Sequence, residues 1–411
     1  MKKRSRIAII GAGIGGLTLA LALRQRGIEA DVFEQATQLT EIGAAIALSA
    51  NGTRELERLG CIDALSAVST EPTELIYRGW RSDARIAAFP VRHDRAYVGQ
   101  FGAPYFGIHR ADLQRILSGA HGGDRLHLGH RVERLVERED GVHISFGNGE
   151  QVVADIVIGA DGVRSAVRRH VNATAAMRYS RTSAFRGIVP IEALPSLPDP
   201  EAIQFWMGPN AHLLHYAIGG ASKAVNYFAV VEGPGVWPNP EGSTAPIDHK
   251  TALDAFRGWH PAVIEMIDAS RHAIRWGLFT VPPVLNWSRG RVALMGDSVH
   301  GMLPHHGQGA NTTIEDAVTL AVLLSALPGR SSSRDLQELF SSYQSMRQLR
   351  TRTIQRSAWA TNRELHLPDG PELKSRNRRV AAFPDRFGWI HAFDAQAVAR
   401  QHVAERELVP A

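Results

Sequence analysis

The sequence predicts an α/β fold: a doubly wound parallel sheet, an inserted antiparallel sheet, and a helical C-terminal segment. Three observations carry this. A strand, a glycine-rich turn, a helix and a second strand follow one another within the first 34 residues. Two later short apolar runs also end in glycine and aspartate, at Gly159-Ala160-Asp161-Gly162 and at Gly296-Asp297. Between them, from about residue 180 to 282, the pattern changes to alternating apolar and aromatic residues, the period of a half-buried sheet.

Taken in order, Arg6 to Ile10 reads as a buried strand, Gly15 to Arg26 as a helix stopped by Gly27, and Ala30 to Glu34 as the second strand of a parallel crossover. Asn51 to Leu59 reads as a helix. Leu75 to Phe89 and Val132 to Phe146 alternate like strands, and Gly147-Asn148-Gly149 is a hairpin turn before Gln151 to Val153. Asp155 to Ile158 is a further buried strand, with a helix starting at Ser165, a good cap residue. Ile203 to Trp206, His212 to Ile218 and Val225 to Val231 supply the second sheet. Val231 to Pro246, rich in Pro and Gly, reads as a surface loop, and Ala252 to Ile267 as one helix. Arg291 to Met295 returns to the parallel pattern. Thr312 to Leu327 is amphipathic, Ser331-Ser332-Ser333 marks a break, and Leu336 to Leu365 reads as a long helix. The expected division is 1–179 with 283–330 as one discontinuous domain, 180–282 with part of 75–108 as a second, and 331–411 as a helical region.

Composition narrows the function. The chain has 411 residues, 44% hydrophobic and 21% charged, as in ordinary globular proteins. The net charge of +5 is small, and outside Met1-Lys2-Lys3-Arg4 the basic residues are dispersed, so no nucleic-acid partner is expected. The excess suits anionic small molecules. Cys61 is the single cysteine, which excludes an intrachain disulfide and a redox cysteine pair and fits a cytoplasmic location. The apolar run from Ile7 to Leu23 after a basic start is signal-like. Yet apart from Ile14 every residue from Gly11 to Gly16 is Gly or Ala, and an ordered strand follows, so no secretory signal is expected. No stretch is long and apolar enough to be expected in a membrane.

Gly11, Gly13 and Gly16 fit G-x-G-x-x-G between a strand and a helix. In that context glycine permits a tight turn, backbone approach to a pyrophosphate and close helix packing, while the helix N-terminus offers free N–H groups. Glu34, at the end of the next strand, is placed to accept from ribose hydroxyls. Dinucleotide binding follows; a bare packing turn is the alternative. The other two glycine–acid turns are ambiguous alone.

Together, in this order and spacing, the three segments resemble the signature of single-component flavoprotein aromatic hydroxylases, the p-hydroxybenzoate hydroxylase family. They are nearest to the branch of salicylate hydroxylase, 3-hydroxybenzoate 6-hydroxylase and 6-hydroxynicotinate 3-monooxygenase. The match spans roughly the first 330 residues, and Trp389-Ile390-His391-Ala392-Phe393-Asp394 extends it to the tail. The resemblance implies a Rossmann-like FAD-binding domain. FAD would lie on Gly11, Gly13, Ile14, Gly15, Gly16, Glu34 and Gln35, with Ala45, Arg110, Asp161, Asp297, Pro304 and a turn of Gly307, Gly309, Ala310 and Asn311 completing the site. Asp161 and Gly162 would also serve the nicotinamide cofactor. NADH or NADPH would visit transiently, dioxygen would form a flavin hydroperoxide, and a small aromatic substrate would be hydroxylated; a larger substrate or a redox-sensing role are the alternatives. The protein would be a monomer or homodimer.

His212 and Tyr216 share a strand face by alternation and match branch positions near the substrate, so both are expected at the substrate as catalytic groups. His305 and His306 replace residues often apolar in the branch and are expected in the pocket. With His300 they make three imidazoles that suit zinc, but no metal is expected at a flavin edge. Ala47 stands where the 6-hydroxynicotinate enzymes place a catalytic histidine, which argues against that substrate.

Overall fold

The computed structural model describes residues 5–39, 45–172, 176–220, 223–327 and 332–407. Met1-Lys2-Lys3-Arg4, Gly43, Ala44 and Ser331 lie outside the described residues.

Two large sheets organise the molecule. The first has six strands in the order Ser288–Arg289, Val292–Leu294, Ile156–Gly159, Ile7–Ile10, Ala30–Phe33 and Leu126–His127. All its pairs are parallel except the Ser288–Arg289 hairpin. The strands Ile7–Ile10, Ile156–Gly159 and Val292–Leu294 are fully buried, which is why they read as continuous apolar runs. Ile10 is level with both Gly159 and Phe33, and Gly159 with Leu294. Four strand ends therefore open on one edge, the edge where open parallel sheets bind ligands.

The second sheet has eight strands: Thr244–Pro246, Ile274–Thr280, Arg178–Pro190, Ala224–Glu232, Ala211–Ile218, Ile203–Gly208, Glu74–Gly79 and Arg85–Pro90. It is antiparallel but for one parallel pair, Ile203–Gly208 with Glu74–Gly79. Leu75 to Phe89 is thus a hairpin rather than one strand.

Three expectations need correction. Ala252 to Ile267 is two helices, His249–Ala255 and Pro261–Ala269. Pro261 has no N–H to continue a helix and pushes His260 to extended backbone, while Gly258 turns at φ +79°. The segment Val231 to Pro246 contains a short edge strand, Thr244–Pro246. The helix expected from Thr312 runs over Gln308–Ser325. Its first turn is polar, so the apolar period that announces a helix begins only one turn later.

The helix Ser333–Leu365 starts at a capping box of Ser332 and Asp335. Three helices follow, Leu373–Ala381, Phe383–His391 and Ala395–Glu407. Among the described residues no helix is long and apolar enough to cross a membrane.

Candidate active site

The first turn shows why glycine is required there. Gly11 adopts φ +106°, and a Cβ on it would stand 2.6 Å from the Ala160 carbonyl oxygen; on Gly16 it would stand 1.9 Å from the Gly11 oxygen. Gly11 thus lets two strand ends meet, and Gly16 lets the helix Ile14–Arg24 lie against the turn. Gly13 faces open space. The Glu34 carboxylate accepts from Ala12 N at 2.8 Å and Ala36 N at 2.9 Å, which fixes it at the mouth of this turn.

Asp161 plays a local part that the sequence did not announce. Its Oδ2 caps the helix Ala166–Val171, accepting from Ala166 N at 2.7 Å and Val167 N at 3.1 Å. Its Oδ1 is buried without a partner among the described residues. Burial raises its carboxyl above the usual range, against the capping hydrogen bonds.

At the third turn Gly296 adopts φ +60° and leaves Asp297 exposed at the cleft. Beneath it lies a buried ion network. Asp316 accepts from Gly296 N at 2.8 Å, His300 Nε2 at 2.5 Å and Arg347 Nε at 2.7 Å. Glu315 binds Arg350 at 2.8 Å, Arg347 at 2.6 Å and Asn51 at 2.5 Å. Burial opposes both charges. Their neighbours outweigh it: Arg350 and Arg347 hold Glu315 low, and His300 and Arg347 hold Asp316 at about 2.

These turns border one cleft with two lobes. The outer lobe, about 690 Å³, is lined by Gly11, Glu34, Gln35 and Asp161 together with Arg131 and Arg169. The inner lobe, about 360 Å³, is lined by Ile14, Gly15, Ala45, Asp297 and the stretch Pro304, Gly307, Gly309 and Ala310. Gly13, Arg110, Ala160 and Gly162 border both. Gly307, at φ +63°, is the N-cap of the helix Gln308–Ser325, so Gly309 and Ala310 belong to a helix N-terminus rather than to the expected turn.

The far wall of the inner lobe is the second sheet. Arg186, Phe228 and Leu214 lie side by side across three strands, and Asn226 and Tyr216 form the next pair. Arg186 lies over the Trp276 ring, 3.3 Å from its centroid. Burial raises the Tyr216 hydroxyl above its ordinary value, so it remains a proton donor at neutral pH.

Five expected site residues do not line the cleft. Gly16 packs as described. Asn311 bonds Ser49 N at 3.1 Å, Ala47 O at 3.0 Å and Gly307 O at 2.8 Å, tying the helix start to the neighbouring strand. His212 lies one step beyond Leu214 on the sheet; its Nδ1 is 2.7 Å from His366 Nε2, and its ring meets His305 edge-on at 5.1 Å. His305 is buried with both ring nitrogens unpartnered among the described residues. His306 lies 3.0 Å from the Ser357 hydroxyl and packs at a tilt against Phe387, ring centroids 4.5 Å apart. Burial lowers all three imidazoles, His306 to about 4. His300 is held by Asp316, away from His305 and His306, and among the described residues no cluster of three or more ligating side chains is arranged for a metal. His212, His305 and His306 are not among the residues that line either lobe.

Sequence reasoning missed Arg186, Asn226, Phe228 and Met302. The available signal was a cation inside an apolar strand, Ala184-Phe185-Arg186-Gly187-Ile188.

The family described as the FAD binding domain matches residues 4–358. A 3-amino-4-hydroxybenzoate 2-monooxygenase of Streptomyces cremeus is 39% identical over 388 residues, covering 94% of each chain. A 6-hydroxynicotinate 3-monooxygenase of Bordetella bronchiseptica is 32% identical, covering 87% of this chain and 91% of its own. Among solved structures, a salicylate hydroxylase substrate complex superposes with TM-score 0.83 at 26% identity, over 97% of this chain and 98% of that one. Klebsiella pneumoniae HpxO complexed with FAD and uric acid superposes with TM-score 0.76 at 28% identity, over 97% and 96%.

Proposed function

The chain belongs to the FAD-binding domain family of flavoprotein aromatic hydroxylases, and on that premise we propose that it hydroxylates a small phenolic carboxylic acid of the aminohydroxybenzoate kind, consuming NADH or NADPH and dioxygen. FAD is suited to the cleft: the open space over Gly13, the orphaned Asp161 oxygen and the two confluent lobes fit an extended dinucleotide. In this reading Glu34 and Gln35 take the adenosine ribose, the turn from Gly11 to Gly15 and Arg110 take the phosphates, and Asp297 takes the ribityl chain. Amides from Gly307 to Ala310 face the flavin ring beside Ala45 and Pro304. Bound FAD supplies the oxygen-activating chemistry. What remains for the protein is to orient the substrate, exclude water and manage one proton.

The observation that carries the substrate class is Arg186, fixed on Trp276 beside Leu214 and Phe228 on the sheet wall of the inner lobe. A guanidinium so placed suits a carboxylate, paired in two parallel hydrogen bonds. Tyr216, kept protonated, donates to the ring oxygen of the substrate and stabilises negative charge there as the ring is attacked. The inner lobe is at the small end of ligand pockets, which favours one ring over a polycyclic substrate. The printed activity of the Streptomyces relative supports an amino- and hydroxyl-bearing benzoate, and Ala47 supports a substrate other than 6-hydroxynicotinate. The buried thiol of Cys61 is consistent with a cytoplasmic enzyme.

The test is nicotinamide oxidation and oxygen uptake by the FAD-loaded protein with 3-amino-4-hydroxybenzoate, 4-hydroxybenzoate and salicylate. The reading expects at least one acid to accelerate both and to gain one oxygen atom. Stimulation by none of them, or only by polycyclic phenols, overturns it.

A further inference from the structure

Next to the inner lobe is a smaller recess of about 170 Å³ that shares Met302 with it. One side is a stripe of the helix Ser333–Leu365: Arg352, Gln355, Arg356 and Trp359 recur at helical spacing and face the same space. Gln355 pins the opposite side by donating to Val281 O and Gly301 O, both at 3.1 Å. Arg178, at the start of its strand, adds a third guanidinium.

Three cations line this recess and no acid does. Among the described residues none of the three arginines forms an ion pair, and Arg352 Nε is buried without a hydrogen-bond partner. An anion in the recess would supply the acceptor that this nitrogen lacks, while the half-buried and exposed remainder of the three side chains stays open to solvent. The size is equally selective. A void of about 150 Å³ accepts a benzene ring, so this one holds a single ring and excludes a dinucleotide. Trp359 offers that ring a stacking face. Met302, which lines both spaces, is unbranched with several rotatable bonds, so its side chain can change rotamer without moving the backbone.

We propose that this recess is a vestibule for the aromatic carboxylate: Arg178, Arg352 and Arg356 capture it from solvent, and Met302 gates its passage to the inner lobe. The proposal rests on the ring-acid reading above and adds a second anion site to it. The vestibule raises the local concentration of anionic rings, so its signature is in the association rate rather than in the chemistry.

The test is stopped-flow binding of 3-amino-4-hydroxybenzoate to the FAD-loaded protein, read from the flavin absorbance, with 3-amino-4-hydroxybenzamide as the neutral probe. In the unaltered protein, salt should slow association of the benzoate and leave the benzamide little changed. The double variant Arg352→Gln with Arg356→Gln should slow benzoate association about tenfold, flatten its salt dependence and spare the benzamide. Met302→Ala should speed both association and dissociation of the benzoate. Equal salt dependence of the two probes in the unaltered protein overturns the vestibule, whatever the variants do. Failure of every ring carboxylate to perturb the flavin overturns the ring-acid reading itself, and the vestibule with it.

Discussion

Arg186 is the residue whose replacement is most informative, because its role depends on charge while its neighbours depend on shape. Hydrogen bonds to a charged partner contribute about 1.5–3 kcal/mol, so Arg186→Gln should raise KM for a ring carboxylate by about 10–100-fold. The effect should vanish with the corresponding carboxamide. An equal loss for acid and amide would assign Arg186 to packing on Trp276. Tyr216→Phe should lower kcat for hydroxylation while flavin content stays the same; unchanged turnover removes the hydroxyl from the reaction. Gly11→Ala combines an unfavourable positive φ with a Cβ against the Ala160 carbonyl, 2.6 Å away. It should abolish FAD retention, measured as bound flavin after gel filtration. Gly11 and Gly16 were legible in the sequence because a side chain at either position would collide with backbone at the turn. Arg186 was not, because a strand arginine usually points to solvent and only the packed sheet shows what it faces. The same limit holds for His212: alternation puts it on the strand face of Leu214 and Tyr216, but does not show how far the cavity extends along that face.

At the scale of the element, the helix Gln308–Ser325 joins the parts of the site. Its N-terminus borders the inner lobe, Asn311 ties it to the strand Ala45–Leu48, and Glu315 and Asp316 bind two arginines of the helix Ser333–Leu365. The sequence showed an amphipathic helix with two adjacent acids. It did not show that both are buried, since acids on a helix usually face water. Their arginine partners lie more than thirty residues away. Removing one partner strands a buried carboxylate, so Arg347→Met should cost about 3–5 kcal/mol in denaturant unfolding. Adding Asp316→Asn should give a total smaller than the sum of the two single changes. Additive losses would mean the groups act independently.

For the whole molecule, three of the parallel strands, Ile7–Ile10, Ile156–Gly159 and Val292–Leu294, were readable because each is a continuous apolar run leading into a glycine turn. The inserted sheet was readable only in outline: alternation marked its strands, but not the eight-strand order in which 74–79 pairs parallel with 203–208. Packing between sheet and C-terminal helices buries imidazoles that carry no charge in the folded chain: burial lowers His306 and His366 to about 4 and His391 to about 3, from 6.5. Below pH 6.5 the unfolded chain takes up protons that the folded chain refuses, so stability is full above that pH and is lost as pH falls toward 4. The melting temperature should drop across this interval, and a flat profile would mean that these rings are hydrated. The architecture as a whole makes one central claim, that three separate turns and the sheet wall form a single site for flavin and ring. A crystal structure of the FAD-loaded protein with 3-amino-4-hydroxybenzoate tests it most directly. The account predicts adenosine at Glu34, the ribityl chain at Asp297 and the substrate carboxylate on Arg186. Flavin bound away from any of the three turns, or a substrate whose carboxylate turns its back on Arg186, would contradict it.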